Sequence, residues 1–419
     1  MKYYISKFIY HFISHIHFLV QCNYKQFTCH DGTCIKLSRR CNGLFDCDDE
    51  SDEDNCKKVS MNELSYKKGI PPFLYGLHVK IEVAIFLLDV NKIELPSRFN
   101  VKMQLVLIWN DYRLTFYNLQ KSGNIIDFDS KYKIWIPQLT FSNTEDNMKL
   151  INDYSTSLTI LQRGPYKRNT RKEKHEGTIF KGDENFIKYS REYKLDLLCS
   201  YNLINYPFDT QICTIDVAVP EHYKKYMHVI ANQTANRGVS KLDQFDIMKV
   251  DIRSFDNLSV VKCLIHLRRD PTYHIASTYL PTVCILVMAL MTLFIDKSHF
   301  EATIMVALTA MLVMYTLFQG IAASMPSTSY MKLLDYWLLF GLVMPFGVFI
   351  VLVVWELIDQ DSNKKAVTLY GTRKIRKSDR SGLQKAKCII PTVTITFVLG
   401  YALVAGSIYV KGTPLGSEE

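Results

Sequence analysis

One apolar, helix-length stretch of the chain, from Glu301 to Gln319, carries a line of water-compatible side chains. At 100° per residue, six of its side chains fall within roughly 80° of one another on one face of a helix. These six are Glu301, Met305, Thr309, Leu312, Thr316 and Gln319. A ring of such helices would enclose a polar pore, with the apolar faces turned to neighbours or lipid. Contact between packed helices is the alternative, because Thr and Gln also hydrogen-bond inside membrane bundles.

No catalytic pattern accompanies this line of residues. The chain lacks a nucleophile elbow, a phosphate-binding loop and a zinc-binding helix motif. We therefore expect transport and not an enzyme.

The second chemical feature is an acidic run inside a cysteine frame at the front of the chain. Cys22, Cys29, Cys34, Cys41, Cys47 and Cys56 enclose a segment too poor in apolar residues to fold without disulfides. Its end reads CNGLFDCDDESDEDNC, whose carboxylates repel one another unless a hard cation such as calcium lies among them. A solvated acidic face is the alternative.

Residues 22–56 resemble a low-density lipoprotein (LDL) receptor class A module, through FTC, GTCI, the CNG turn and the DCxDxSDExxC pattern. The resemblance implies Ca²⁺ held by the side chains of Asn42, Asp46, Asp52 and Glu53 and by the carbonyls of Arg39 and Leu44. It also implies the bridges Cys22–Cys34, Cys29–Cys47 and Cys41–Cys56. Asn42 and Arg39 depart from the usual Asp and Trp, which we expect to weaken calcium binding and to remove a contact used on protein ligands.

The composition of the chain limits its number of domains, its compartment and its partners. Its 419 residues predict several domains, and its eleven cysteines favour an oxidising, extracellular compartment for the front two-thirds. The net charge of +9 is concentrated in a few loops, so we expect no nucleic-acid partner. Residues 1–21 have a signal peptide's pattern, with a disordered or mis-started amino terminus as the alternative.

The middle of the chain has the period of β-strands. After a predicted linker (57–69), residues 70–270 contain short alternating segments that favour an antiparallel sandwich. The strand candidates are Lys80–Val90, Phe99–Trp109, Lys194–Leu198, Gln211–Val217 and Phe245–Ile252. The basic stretch Arg163–Gly177 is expected to be a mobile loop, or else a surface for an acidic partner or lipid. Asn232 and Asn257 begin glycosylation sequons.

Cys199 and Cys213 lie at the two ends of a segment that contains Pro207, Phe208 and Asp209, and a bridge between them would close a loop on the sandwich. This segment resembles the signature of Cys-loop pentameric ligand-gated channels. The resemblance extends over roughly residues 70–410 and includes WNDYRL at Trp109, WIP at Trp135, and Arg268-Arg269 ahead of Pro281.

Four apolar runs follow, each near the 20 residues needed to cross a bilayer. They are Ile275–Ile295, Ala302–Ala322, Tyr336–Trp355 and Cys388–Val410. Residues 357–387 are expected to be a loop, and their nine Lys or Arg against three Asp predict a cytoplasmic location. Helices at 271–356 and 388–410 would then leave both termini, including a tail at 411–419, outside the cell.

The family resemblance implies a role for several of these residues. Leu312 would form the hydrophobic constriction of the pore. Pro207, Phe208 and Asp209 would press on the connector Met325–Ser329, with Arg268 or Arg269 as charge partners. The SYxKxxDxW pattern from Ser329 resembles the anion-conducting GABA, glycine and glutamate-gated branch. Glu301-Ala302-Thr303 instead places a carboxylate ring at the pore mouth, from which we expect a slight cation preference.

The expected agonist positions lack the usual aromatic residues. They read Gln104, Ser142 and Pro220, while Phe141, Tyr189, Tyr223 and Phe255 are nearby substitutes or ordinary core aromatics. An acetylcholine-type cage is not supported.

Taken together, the sequence predicts a multidomain plasma-membrane protein: a disulfide and calcium module, an all-β extracellular sandwich and a four-helix transmembrane bundle. We expect a homo- or hetero-pentamer in membrane lipid, gated by a small extracellular ligand, with a protein ligand for the front module. Three alternatives are a chloride-selective channel, an accessory subunit and a non-conducting adhesion or endocytic receptor.

Overall fold

The computed structural model describes residues 22–23, 25–54, 56–74, 76–94, 98–144, 149–150, 156–165, 167–168, 178–255, 257–296, 299–325, 327–368 and 377–411. The predicted signal peptide, most of the basic stretch after residue 165 and residues 412–419 of the predicted tail lie outside this described part.

The front module is small and held by disulfides. Strands β1 (Gln26–Thr28) and β2 (Cys34–Lys36) pair antiparallel, and a 3-10 turn follows at Leu37–Arg39. Its disulfides join Cys22 to Cys34, Cys29 to Cys47 and Cys41 to Cys56. Phe27 and Ile35 are the apolar residues buried against them.

A β-sandwich follows, as the alternating sequence predicts. Its strands are β3 (Val59–Met61), β4 (Val79–Glu94), β5 (Arg98–Asn110), β6 (Leu114–Tyr117), β7 (Thr140–Phe141), β8 (Lys149–Leu150), β9 (Ser157–Leu161), β10 (Lys167–Arg168), β11 (Thr178–Lys181), β12 (Phe186–Leu198), β13 (Thr210–Ala218), β14 (Met227–Asn236), β15 (Phe245–Phe255) and β16 (Val260–Arg269). A six-stranded sheet has the order β14-β4-β5-β12-β8, with β9 on β12. Two four-stranded sheets have the orders β15-β16-β13-β7 and β10-β11-β6-β3.

Period-two alternation builds the core between these sheets. In β5, Phe99, Val101 and Met103 are fully buried, while Asn100 and Lys102 are half-buried on the other face. In β16, every second residue from Val261 to Arg269 is buried.

Three expectations are wrong in detail. Strand β14 pairs parallel to β4, which is possible because these strands are far apart in sequence and no hairpin joins them. Strand β3 lies inside the predicted linker and pairs with β6, because the apolar Val59 is buried in the core of the sandwich. Much of the predicted loop 357–387 is helical, because its Lys, Gln and Ala residues favour helix.

In the part of the chain that the structure describes, four helices are long and apolar enough to cross a membrane. They are α1 (Thr272–Phe294), α2 (Phe300–Ser324), α3 (Leu333–Thr368) and α4 (Lys377–Lys411). Met314 of α2 is fully buried against a cluster that contains Leu286 and Ala289 of α1. On its other side Met314 lies against Gly341 of α3, whose missing side chain allows the close approach.

Candidate functional site

The helix α2 has one buried face and one unpartnered face. Thr303, Ala307, Ala310 and Met314 are buried against the neighbouring helices. The six residues of the predicted pore-facing line are all exposed in the single chain: Glu301, Met305, Thr309, Leu312, Thr316 and Gln319. Thr309 and Thr316 donate their hydroxyl hydrogens to carbonyls of their own helix at 2.9 and 2.8 Å, so their oxygen lone pairs remain available to water. The arrangement is suited to lining a water-filled path.

Glu301 begins this line at the amino-terminal end of α2. It lies in the first helical turn, directly after Phe300. The free amide groups of that turn stabilise a carboxylate, which offsets part of its charge.

The loop closed by the Cys199–Cys213 disulfide lies on the membrane helices. Leu203 and Tyr206 are buried with Leu334 and Trp337 of α3. The amide of Leu333 donates to the carbonyl of Ile204 at 2.7 Å, and the amide of Leu334 donates to that of Tyr206 at 3.2 Å. This loop therefore touches the start of α3 through backbone as well as side-chain contacts.

We expected Pro207, Phe208 and Asp209 to contact the connector Met325–Ser329. The described contacts of Phe208 and Asp209 are with other residues. The Phe208 ring lies 6.1 Å from the Tyr279 ring of α1, and Asp209 turns into the sandwich. Among the described connector residues, Met325 packs partly against the loop cluster. Asp209 turns inward because its charge has a buried partner there.

That partner is Arg269, and the structure separates it from Arg268. The Arg269 Nε donates to Asp209 Oδ1 at 2.7 Å, and both side chains are 1% exposed. Arg268 instead pairs with Asp246 of β15 at 3.4 Å, where both side chains are partly exposed. Position on β16 explains the difference, since odd-numbered residues of this strand face the core.

The residues predicted for ligand binding divide into two groups. Phe141, Tyr189 and Tyr223 line one cavity of about 370 Å³, together with residues that sequence reasoning did not select. The added residues are Lys68, Gly69, Leu105, Leu107, Trp135, Ile136, Pro137, Gln138, Leu139 and Tyr193. The alternation of apolar residues on β5 is the signal that indicates Leu105 and Leu107.

Gln104, Pro220 and Phe255 do not line this cavity. Gln104 lies on the opposite face of β5, where its amide donates to Ser190 Oγ at 2.9 Å and its carbonyl accepts from Arg237 at 2.8 Å. Pro220 precedes a 3-10 turn, and Phe255 lies half-exposed at the end of β15. The β15–β16 connection consists of residues 256–259.

The predicted calcium-ligating side chains surround one segment of the front module, residues 42–46. Asn42 donates to Asp46 Oδ2 at 2.9 Å, and the Gly43 amide donates to Glu53 at 2.9 Å. Asp52 is fully buried and accepts from the amides of Asp46 and Cys47. These oxygens suit a hard cation, but the Arg39 side chain already lies 3.0 Å from Asp46 Oδ1.

Another group of potential metal ligands in the described part is Cys29, Cys47 and Asp49. It is not suited to an ion, because its two cysteines form a disulfide. The glycosylation candidates Asn232 and Asn257 are both exposed.

Comparison with known proteins agrees with this arrangement. Residues 56–280 match the neurotransmitter-gated ion-channel ligand binding domain, and residues 278–386 match the transmembrane region of the same channels. Residues 20–56 match the low-density lipoprotein receptor domain class A.

Among curated proteins, the chain is 24% identical over 293 residues to a gamma-aminobutyric acid receptor subunit beta-like of Drosophila melanogaster, covering 65% of this chain and 54% of the relative. It is 24% identical over 325 residues to the gamma-aminobutyric acid receptor subunit beta of Lymnaea stagnalis, and this match covers 71% of this chain and 60% of the relative. It is 21% identical over 318 residues to a glutamate-gated chloride channel of Drosophila melanogaster, covering 68% and 60%. The matches thus span 54–60% of these relatives.

A model of the ligand binding domain that matches more than half of the chain, followed by the matching membrane region, shows that this protein belongs to the neurotransmitter-gated ion channels, a family of channels and not of enzymes.

Proposed function

We propose that the chain is a subunit of a pentameric channel of the plasma membrane, opened by a small extracellular ligand. The observation that carries the proposal is the two-faced α2 helix, buried on one side and lined with six exposed, largely water-compatible residues on the other. In a pentamer, the exposed faces of five α2 helices surround a common axis and line a water-filled path. The five Leu312 side chains form an apolar ring that closes this path by excluding water. A non-conducting adhesion receptor has no use for this face.

We propose chloride as the permeant ion. Support comes from the similarity to a glutamate-gated chloride channel and from the SYxKxxDxW pattern after α2. The relatives do not support the cation preference that we expected from Glu301. Cation conduction stays a second candidate because Glu301 is exposed at the end of α2, where five carboxylates would attract cations.

Reversal potentials distinguish the two ions. The full chain is expressed in a cell with low background current, and transmitters are screened, beginning with gamma-aminobutyric acid and glutamate. Replacing external chloride with gluconate should shift the reversal potential by about 59 mV per tenfold change. Replacing sodium with a large organic cation should leave it unchanged. A reversal potential that follows sodium alone would establish the cation candidate.

The remaining assignments extend the same proposal. Both chain ends lie outside the cell, residues 357–387 lie in the cytoplasm, and the pentamer contains either this chain alone or related subunits. Ca²⁺ binds the front module through Asn42, Asp46, Asp52 and Glu53, and the module recruits a protein ligand. Calcium binding is supported by the hydrogen bonds that hold these four side chains together around the segment 42–46.

A further inference from the structure

A short segment between β3 and β4, residues 66–70, forms part of the cavity wall. Lys68 and Gly69, in the middle of this segment, line the same cavity as Trp135 and the residues predicted for ligand binding. The segment belongs to no helix or strand. Its position therefore depends on side-chain contacts, and a shift of the segment changes the space that a ligand would occupy.

Tyr66 holds the beginning of this segment. Its hydroxyl donates to Asp111 Oδ2 at 3.2 Å and accepts from the backbone amide of Trp135 at 2.8 Å. Burial raises the pKa of Tyr66, so that the hydroxyl stays protonated and able to donate. Because Trp135 lines the cavity, this one hydroxyl fixes two parts of the cavity wall relative to each other.

Arg113 holds the chain on both sides of the cavity-lining residues 68–69. Its guanidinium donates to the carbonyl of Lys67 at 3.4 Å and to that of Ile70 at 2.9 Å. Two further hydrogen bonds, at 2.8 and 2.7 Å, connect it to the fully buried carboxylate of Asp111. Such two-point, charge-assisted pairs are strong and fixed in direction. The segment therefore cannot shift without distorting this pair.

Strand β6 begins directly after Arg113 and leads to the front module. The side-chain amide of Asn118, directly after β6, donates to Cys41 Sγ at 3.7 Å. The side-chain amide of Gln120 donates to the carbonyl of Ser38 at 3.2 Å. At about 3.3 Å per residue, Arg113 and Asn118 are roughly 17 Å apart along the strand. One short strand thus has contacts to the cavity wall at one end and to the front module at the other.

The polypeptide chain makes a second connection between the module and β6. Two residues after Cys56 the chain enters β3, which pairs with β6, and the amide of Tyr117 donates to the carbonyl of Lys58 at 3.0 Å. The Cys41–Cys56 disulfide joins the two connections, because Cys41 lies against Asn118 and Cys56 leads into β3. The module is therefore attached to β6 both through the chain and through side chains.

We propose that the front module regulates ligand binding by setting the position of residues 66–70, with Tyr66 as the positioning residue. The inference rests on the proposed function, since it takes the cavity as the ligand site. Neither Tyr66 nor Asn118 lines the cavity, so both act on a ligand through the cavity wall.

The first experiment needs no ligand. Hydrogen exchange is measured by mass spectrometry on the full-length protein in lipid nanodiscs. Tyr66→Phe removes only the hydroxyl and should speed exchange at residues 66–70 and at the Trp135 amide by at least about tenfold. Tyr117→Phe is the matched control, because this half-buried tyrosine of β6 lies outside the cavity. Exchange in β15 should be unchanged in both variants. Equal exchange at residues 66–70 in the two variants would overturn the role of Tyr66.

The second experiment tests the connection to the module. Asn118→Asp combined with Gln120→Glu keeps the shape of both side chains but removes the two amide donors that face the module. Exchange at residues 66–70 should rise by at least about threefold. Gln233→Glu combined with Gln244→Glu is the control, since it adds the same charge at two exposed positions and should leave this exchange unchanged. Unchanged exchange in the Asn118 and Gln120 variant would overturn the proposal.

The third experiment measures the effect on the ligand, with gamma-aminobutyric acid or glutamate as the probe, whichever opens the unaltered channel. Tyr66→Phe and the Asn118 and Gln120 variant should each raise the concentration for half-maximal current by roughly threefold to tenfold, with an unchanged maximal current. A reduced maximal current at an unaltered half-maximal concentration would overturn the positioning role. Because the exchange experiments need no agonist, a failure of the proposed function is distinguishable from a failure of this inference.

Discussion

Asp209 and Arg269 form a buried ion pair that joins the Cys199–Cys213 loop to the strand leading into the first membrane helix. Two hydrogen bonds, at 2.7 and 3.3 Å, connect the guanidinium to the carboxylate. Gln211 also donates to the carboxylate, and the guanidinium lies 4.3 Å from the Phe245 ring centre. The pair fixes the loop, whose Leu203 and Tyr206 touch α3, against the sandwich.

The first prediction concerns this pair. Asp209→Asn leaves a buried guanidinium without its counter-charge and should destabilise the extracellular domain by roughly 3–5 kcal/mol. Denaturant unfolding of the purified protein measures the change. The matched control is Asp246→Asn, which breaks the more exposed pair with Arg268 and should cost less than about 1 kcal/mol. Equal losses in the two variants would contradict the assignment.

The second prediction concerns the contact between the loop and the first membrane helix. Phe208→Ala removes the ring beside Tyr279 and should raise the agonist concentration for half-maximal current by roughly threefold to tenfold. Surface expression should be unchanged, because Phe208 is only half-buried. Current recordings with surface labelling measure both. Tyr112→Ala is the control, since that exposed ring follows the Asn110 end of β5, whereas the loop residue Tyr201 contacts Arg98 at the other end of this strand. An unaltered response in the Phe208 variant would refute the coupling role.

The third prediction concerns the exposed face of α2. After Cys284 and Cys388 are replaced by Ala, cysteines at Thr309 and Thr316 should react with a charged, water-soluble thiol reagent and block current. Ala310→Cys is the control, because that side chain is 6% exposed and packed against α1. It should react far more slowly. Protection of both Thr positions in open and closed channels would exclude a water-filled path along this face.

The fourth prediction concerns calcium in the front module. Arg39 lies beside Asp46, so Arg39→Gln should raise the calcium affinity by up to about tenfold, since a cation near the ion opposes its binding. Asp52→Asn should abolish calcium-dependent stabilisation, because the buried carboxylate orders the Asp46 and Cys47 amides. Thermal unfolding with and without a chelator measures both. A calcium affinity that is unaffected by Arg39→Gln would contradict the competition between the two cations.

Sequence patterns were sufficient where a single period or spacing carries the signal. The cysteine spacing predicted the front module, and the alternation from Phe99 to Trp109 predicted β5. The same alternation on β16 places Arg269 inside and Arg268 outside, although the motif alone left the two equivalent. Alternation on β5 likewise turns Gln104 away from Leu105 and Leu107, which accounts for its absence from the cavity.

Other features depend on contacts between distant parts of the chain. No local signal predicts that β14 lies parallel to β4, because the pairing joins segments far apart in sequence. Tyr193 and Lys68 come together only after the sheets pack, so the cavity was not foreseen. The helical parts of residues 357–387, at the end of α3 and the start of α4, were missed because the density of charge was interpreted as the sign of a loop, although helices tolerate Lys and Gln well.

The strand Val59–Met61 begins only two residues, Lys57 and Lys58, after the last cysteine of the front module. Because consecutive Cα atoms are about 3.8 Å apart, the Cα atoms of Cys56 and Val59 are separated by at most roughly 11 Å. Gln120 also donates to the carbonyl of Ser38 at 3.2 Å. In a pentamer, five front modules with such short connections would form a fixed ring at the outer rim of the extracellular domains. A molecule that approaches the channel from outside the cell would then meet this ring before it meets the pore.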